Sequence, residues 1–172
     1  TDGAAQDAIA VPAAKVLAVP DPVSLDEAAM VEPIAVAVHA LRRSGEDLAG
    51  KQVLVLGAGT IGNLVAQVAQ ASGATALITD VTDYKIAKAR ACGIDAAVNT
   101  RTTALEAALA AHFGDRRADL ILECVGVQPT ITQAVTNARK GTTIVVVGVF
   151  GETPRVDLGL VQDRELSLVG TL

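Results

Sequence analysis

Val53-Leu54-Val55-Leu56-Gly57-Ala58-Gly59-Thr60-Ile61-Gly62 is an apolar run that empties into a glycine loop, after which Ile61, Leu64, Val65 and Val68 recur at helical spacing. Strand, loop and helix follow one another directly. In that order Gly57 permits a tight turn, Gly59 leaves bare backbone for a pyrophosphate, and Gly62 lets the helix pack closely on the strand. The helix start, with Thr60 and Ile61, then turns its free N–H groups toward the phosphates. The competing reading is a glycine turn that merely joins a strand to a helix. In a chain with 15 Gly, GxGxxG alone says little, and the flanking strand and helix are what give it weight.

Asp80 closes the next apolar run, where a dinucleotide-binding unit sets an acid against the adenosine ribose. A carboxylate there repels a 2′-phosphate, so NAD is favoured over NADP. The alternative is a cap or turn residue, a role Asp83 fills equally. Lys85 either lies over the same ribose or is a solvated helix cation. Two later turns, Cys124-Val125-Gly126 and Gly148-Val149-Phe150-Gly151, each end a strand. Ligands in open α/β sheets lie outside the carboxyl ends of strands, so both turns are candidates for the nicotinamide half. Ordinary strand-ending turns are the alternative.

Outward from the loop, strands are expected at 53–56, 75–79, 96–99, 119–124, 143–149 and 165–169, with one-faced helices between them. Gly73, Gly93, Gly114 and Gly141 stand at helix ends, and Pro129 suits a first helical turn. Runs such as Ile144-Val145-Val146-Val147 fit strands covered on both faces, which predicts an α/β, doubly wound, six-stranded parallel sheet. The segment 150–164 reads as a loop with at most a short helix. Upstream, 8–11 and 15–19 read as short strands around Pro12. Ser24-Leu25-Asp26-Glu27 has the form of a capping box. A break is expected at Glu32 before Pro33, followed by a second helix to about Arg43.

With 172 residues, 51% of them hydrophobic, the chain suits one globular domain. Its net charge of −5, with no basic cluster longer than a pair, makes nucleic acid and anionic membrane poor partners. Cys92 and Cys124 lie far apart, both expected inside apolar elements, so neither a disulfide framework nor a cysteine zinc site follows, and a cytoplasmic setting is expected. No apolar stretch is long enough to span a bilayer and no signal peptide is evident. The chain opens at Thr1, which suggests processing or excision from a longer protein.

At this point the residues resemble the zinc-dependent medium-chain dehydrogenases, particularly the polyol, threonine and butanediol dehydrogenase branch. The resemblance rests on Val31-Glu32-Pro33-Ile34-Ala35-Val36-Ala37-Val38-His39-Ala40, on Val53 through Gly62, and on the order of elements to Gly170. It implies a Rossmann sheet of order 3-2-1-4-5-6, with 23–172 as the NAD-binding domain and 1–22 as the tail and linker of a GroES-like catalytic domain. It also implies that Glu32 lies at the catalytic zinc, as ligand or near-ligand. The plainer reading is a surface carboxylate capping the helix that starts at Pro33. His39 reads as a helix residue near the domain junction rather than a ligand. The family's cysteine ligand, Gly-His-Glu segment and structural-zinc cysteines have no counterpart here. A catalytic zinc needs about three protein ligands, so zinc is expected in the parent enzyme but not in this chain, which is not expected to catalyse alone.

The expected function is therefore the NAD(H)-binding part of a dehydrogenase that oxidises a secondary alcohol, in a small alcohol or polyol, to a ketone by hydride transfer. Two other readings stand beside it: an NAD/NADH-sensing module without chemistry, and a zinc-free NADPH quinone or enoyl reductase. Glu32-Pro33 and Asp80 argue against the latter. Leu166, Leu168 and Val169 leave the last strand an apolar edge, so a homodimer through 165–169 is expected.

Overall fold

The computed structural model describes residues 3–172, with Arg116 described by its backbone alone. Chain contacts divide it into a short unit ending at Val31 and a larger one, Glu32–Leu172.

In the short unit, helix α1 (Leu25–Ala29) starts as its sequence predicts. Ser24 N–H donates to Glu27 Oε2 at 2.8 Å, and Glu27 N–H donates to Ser24 Oγ at 3.2 Å. The strands expected at 8–11 and 15–19 do not form. Instead Ala13–Lys15 makes a single 3-10 turn, and Ile9, Val11 and Leu17 stay exposed. β-Branched residues make a strand only against a partner, and no described residue of this unit pairs with them.

The expected break at Glu32 is displaced too. Helix α2 (Val31–Arg43) begins at Val31, after the α1 cap at Met30. Pro33 therefore sits in the first turn of α2, where a missing N–H costs no intrahelical bond, and Glu32 is helical rather than the break.

The larger unit is built on six parallel strands: β1 (Gln52–Leu56), β2 (Thr75–Asp80), β3 (Ala97–Asn99), β4 (Leu120–Glu123), β5 (Thr143–Val146) and β6 (Ser167–Gly170). Their order is β3-β2-β1-β4-β5-β6, the Rossmann order. Connecting helices are α3 (Thr60–Ala71), α4 (Asp83–Ala91), α5 (Leu105–Phe113), α6 (Gln128–Asn137) and α7 (Leu158–Asp163). The two-residue period of β1 divides the core. Val53 and Val55 pack with Ala37 and Leu41 of α2, Val65 and Ala69 of α3, and Ile86 of α4. Leu54 and Leu56 face the opposite layer, with Leu109 of α5 and Val135 of α6. These four apolar β1 residues, Val53 to Leu56, are fully buried, each worth about 1.5–3 kcal/mol. The many alanines let the helices lie close on the sheet.

Four strands stop short of, or start later than, their apolar runs, β3 by one residue at Ala97. β5 ends at Val146, not 149, because Val147 N–H and Gly148 N–H both turn to the carbonyl of Glu123, at 2.8 Å each. β4 is confined to 120–123. β6 begins at Ser167 because Glu165 takes a left-handed backbone, φ 52°. The 150–164 connection holds only the short α7, whose Leu160 N–H is capped by Asp157 Oδ1 at 3.1 Å. Cys92, expected within an apolar element, instead caps α4 at the exposed surface, and both cysteines are free. No helix among the described residues is long and apolar enough to cross a membrane.

Candidate functional site

Parallel strands place all their carboxyl ends on one edge of the sheet, and the reversal of strand order between β1 and β4, where the chain crosses back from β3, opens a crevice there. Into this crevice run the glycine loop after β1, Asp80 at the end of β2, and the turns after β4 and β5.

Gly57 has φ +100°, and a methyl on it would stand 2.5 Å from Val125 Cγ2, so the loop is drawn tight against the β4 turn. A methyl on Gly62 would stand 1.9 Å from the Gly57 carbonyl oxygen. The start of α3 thus rests on the loop's own backbone. Gly59 is different, with open space on all sides of the position its Cβ would take. It is the N-cap of α3 and no side chain caps that helix start, with Thr60 exposed beside it. The loop is therefore closed toward the sheet and bare toward solvent, the form of an anion cradle. These features fit the diphosphate of a dinucleotide.

Asp80 is 8% exposed. Its Oδ2 accepts from Ala58 N–H at 2.9 Å and from Lys85 Nζ at 3.3 Å, and Oδ1 accepts from Thr82 N–H at 3.0 Å. Burial works to raise its pKa, but the Ala58 N–H and the Lys85 ammonium outweigh it and hold the carboxyl below the ordinary aspartate value. The acid is thus both the clasp of the glycine loop and a charge at the end of β2. Lys85 pairs with Asp80 directly, and its side chain is 46% exposed, so it is the partner free to move aside. Asp83, the rival acid, is engaged elsewhere, accepting from Asn99 Nδ2 at 2.6 Å.

Ile61, Cys124, Val125, Gly148 and Val149 come together in one pocket of about 450 Å³. Val36, Val147, Thr171 and Leu172, which residue-type reasoning passed over, complete its lining. Burial and the neighbouring Glu123 charge push the Cys124 thiol far up, so it lines the pocket as a neutral group. A larger cleft of about 790 Å³ borders Gly126, between Gln128 and Arg155.

The turns after β4 and β5 touch backbone to backbone: a methyl on Gly126 would lie 2.3 Å from the Val149 carbonyl oxygen. Beneath them lies Glu123, fully buried, which was not singled out from the sequence. Its Oε1 accepts from Val125 N–H at 3.0 Å and Gly126 N–H at 2.9 Å. Those two N–H groups are therefore spent inside, on the Glu123 carboxylate. The signal for Glu123 was a lone charge closing an otherwise apolar strand.

Glu32 is exposed in the first turn of α2, one turn before the pocket residue Val36. His39 is likewise exposed. Among the described residues no three His, Cys, Asp or Glu side chains are grouped to hold a metal. A lone carboxylate does not make a zinc site, and these residues do not fit the ion.

A sequence profile described as "Zinc-binding dehydrogenase" matches residues 60–172. Among curated proteins, the chain is 36% identical over 99% of its length to 2-dehydro-3-deoxy-L-galactonate 5-dehydrogenase of Pseudoalteromonas atlantica, covering 49% of that protein. It is 33% identical over 88% of its length to sorbitol dehydrogenase of Ovis aries, covering 43% of it. The chain thus spans about half the length of these relatives. Among solved structures, a short chain alcohol dehydrogenase from E. coli CFT073 complexed with NADH superposes with a TM-score of 0.83 at 28% identity, over 94% of this chain and 48% of that one. A zinc-binding dehydrogenase from Sinorhizobium meliloti 1021 bound to NADP gives 0.79 at 29% identity, over 89% and 46%.

Proposed function

The chain belongs to the zinc-binding dehydrogenases, as the cofactor-binding part of a zinc-dependent medium-chain enzyme, and from that premise we propose that it binds NAD(H) across the carboxyl edge of its sheet. The observation that carries the proposal is the loop at 57–62, closed by Gly62 against Gly57 and open at Gly59. Gly57, Gly59, Thr60, Ile61 and Gly62 receive the pyrophosphate at the start of α3. Asp80 receives the adenosine ribose, with Lys85 yielding its place or sharing it. The pocket of Ile61, Cys124, Val125, Gly148 and Val149, with Gly126 behind it, takes the nicotinamide half.

When bound, the nicotinamide ring supplies hydride chemistry. The parent reaction we assign is the reversible oxidation of a secondary alcohol, in a small alcohol or polyol, to a ketone. The chain's own residues hold and orient the dinucleotide, and Cys124, kept neutral, adds no charge beside the ring. Zinc belongs with the parent enzyme, and Glu32 alone in this chain does not hold it. We assign 23–172 as the cofactor domain, 1–22 as the tail of its neighbour, β6 as the contact of a homodimer, and the cytoplasm, where free cysteines persist, as the location.

NAD is favoured over NADP because a 2′-phosphate would meet the Asp80 carboxylate. Fluorescence titration tests this. NADH should bind saturably and more tightly than NADPH, and Asp80→Ala should weaken NADH and narrow the gap. Equal affinity of the wild-type chain for both would remove Asp80 from its role, and no binding of either would refute the cradle.

A further inference from the structure

Glu123 is a fully buried carboxylate at the end of a strand that is otherwise Leu120-Ile121-Leu122. Withdrawing such a charge from water is expensive unless directed donors surround it. No ion pair to it is found among the described residues, so the donors are neutral, and they come from the turn it precedes and the helix beyond. Val125 N–H and Gly126 N–H reach Oε1 at 3.0 and 2.9 Å, and Gly126 N–H also lies 3.2 Å from Oε2. Thr130 Oγ1, in the first turn of α6, lies 2.6 Å from Oε1.

The same residue holds the neighbouring turn through its main chain, its carbonyl accepting from Val147 N–H and Gly148 N–H at 2.8 Å each. A methyl on Gly148 would stand 2.2 Å from the Gly126 nitrogen and 2.6 Å from Glu123 Oε2. The carboxylate is thus walled in by the two turns it joins. A trans peptide places its C=O opposite its N–H. With the N–H groups of Val125 and Gly126 drawn inward, the carbonyls of Cys124 and Val125 are turned away from Glu123. Val125 is 40% and Val149 85% exposed.

We propose that Glu123, with Thr130, is a positioning residue for the nicotinamide half of the dinucleotide. It fixes the outward acceptors of the 124–126 turn and its spacing from Gly148 and Val149, so that ligand hydroxyl and amide donors meet preset partners. The inference rests on the dinucleotide reading above. It predicts a loss confined to one half of the ligand, because the phosphate loop and Asp80 are held by other bonds.

The test compares NADH, titrated by fluorescence, with ADP-ribose, titrated by calorimetry, on the wild-type chain, Glu123→Gln and Thr130→Val. Glutamine keeps one acceptor but brings an NH₂ group to face the Gly126 N–H, donor against donor. Glu123→Gln should bind NADH about tenfold more weakly, the equivalent of one charge-assisted hydrogen bond, with ADP-ribose within about twofold of wild type. Thr130→Val, which removes only a hydroxyl near the surface, should shift NADH in the same sense by less, and it decides the matter if Glu123→Gln does not fold. Unchanged NADH affinity, or an equal loss for both ligands, overturns the role of Glu123. A wild-type chain that binds neither ligand overturns the dinucleotide reading instead.

Discussion

Replacing Gly62 with alanine puts a methyl carbon 1.9 Å from the Gly57 carbonyl oxygen, 3.0 Å from the Gly57 carbonyl carbon and 3.3 Å from Val55 Cγ1. Real contacts of this kind do not fall below 3.0 Å, so the start of α3 must withdraw from the loop by about 1 Å. The obstacle is backbone, which has no rotamer to escape into. Overpacking of this kind costs about 1–3 kcal/mol, and the upper end applies here. Alanine returns about 1 kcal/mol of helix propensity, leaving a net loss of about 2 kcal/mol. With a urea slope of about 2 kcal/mol per molar for a chain of this size, the unfolding midpoint should fall by about 1 M. Gly59→Ala is the matched control. Its methyl meets nothing within 4 Å and its φ of −68° suits any residue. As a helix N-cap, alanine there costs at most about 1 kcal/mol relative to glycine. Yet that methyl occupies the bare ground assigned to the pyrophosphate. Urea melts followed by circular dichroism, with NADH titration of both variants, should therefore separate the two glycines. Gly62→Ala loses stability and NADH affinity together, and Gly59→Ala loses mainly affinity, by tenfold or more on the order of a misplaced or blocked contact. A Gly62→Ala chain that melts with wild type would refute the close approach, and a Gly59→Ala chain that binds NADH normally would refute the cradle.

Acid should reveal the clasp at the end of β2. The native Asp80 pKa lies below its unfolded value of about 3.9, so its stabilisation is complete above about pH 4 and is lost as pH falls through the lower native value. The stability difference between wild type and Asp80→Asn, measured by urea melts from pH 6 down to pH 3, should therefore shrink at the acid end; a difference that ignores pH would show the carboxylate to be idle. At the sheet edge, Leu168 is 38% exposed on β6. A lysine there blocks strand pairing, so Leu168→Lys should convert the proposed dimer to monomer in light scattering while moving folding stability by about 0.5 kcal/mol or less. A wild-type monomer at high micromolar concentration, or a dimeric variant, would refute the edge contact.

The features that were legible in the sequence are those written in residue type. The run 53–56 matches β1 to within one residue, the helix-ending glycines at 73, 93, 114 and 141 all take positive φ, and alternating strands and helices were enough to predict the parallel sheet. What escaped depends on which backbone group finds which partner. The run 143–149 looks like a single strand, yet its last residues leave the ladder because one carbonyl, that of Glu123, takes both Val147 N–H and Gly148 N–H. The apolar stretches at 8–11 and 15–19 have β-forming residues but no neighbouring strand among the described residues of their own unit. Pro33 carried a sound rule about the residue before it, which the first turn of a helix does not enforce. Glu123 is the most instructive miss. A strand covered on both faces admits a charge only if donors wait for it, and here they are mostly main-chain N–H groups, which every residue but proline carries. Composition cannot announce them. The glycines around it can: Gly126 and Gly148 are small because backbone and carboxylate crowd the places where their side chains would be. An isolated acid closing an apolar strand, followed by glycine in its own turn and in the turn of the next strand, is therefore a readable sign of a buried anchor beneath the carboxyl edge of the sheet.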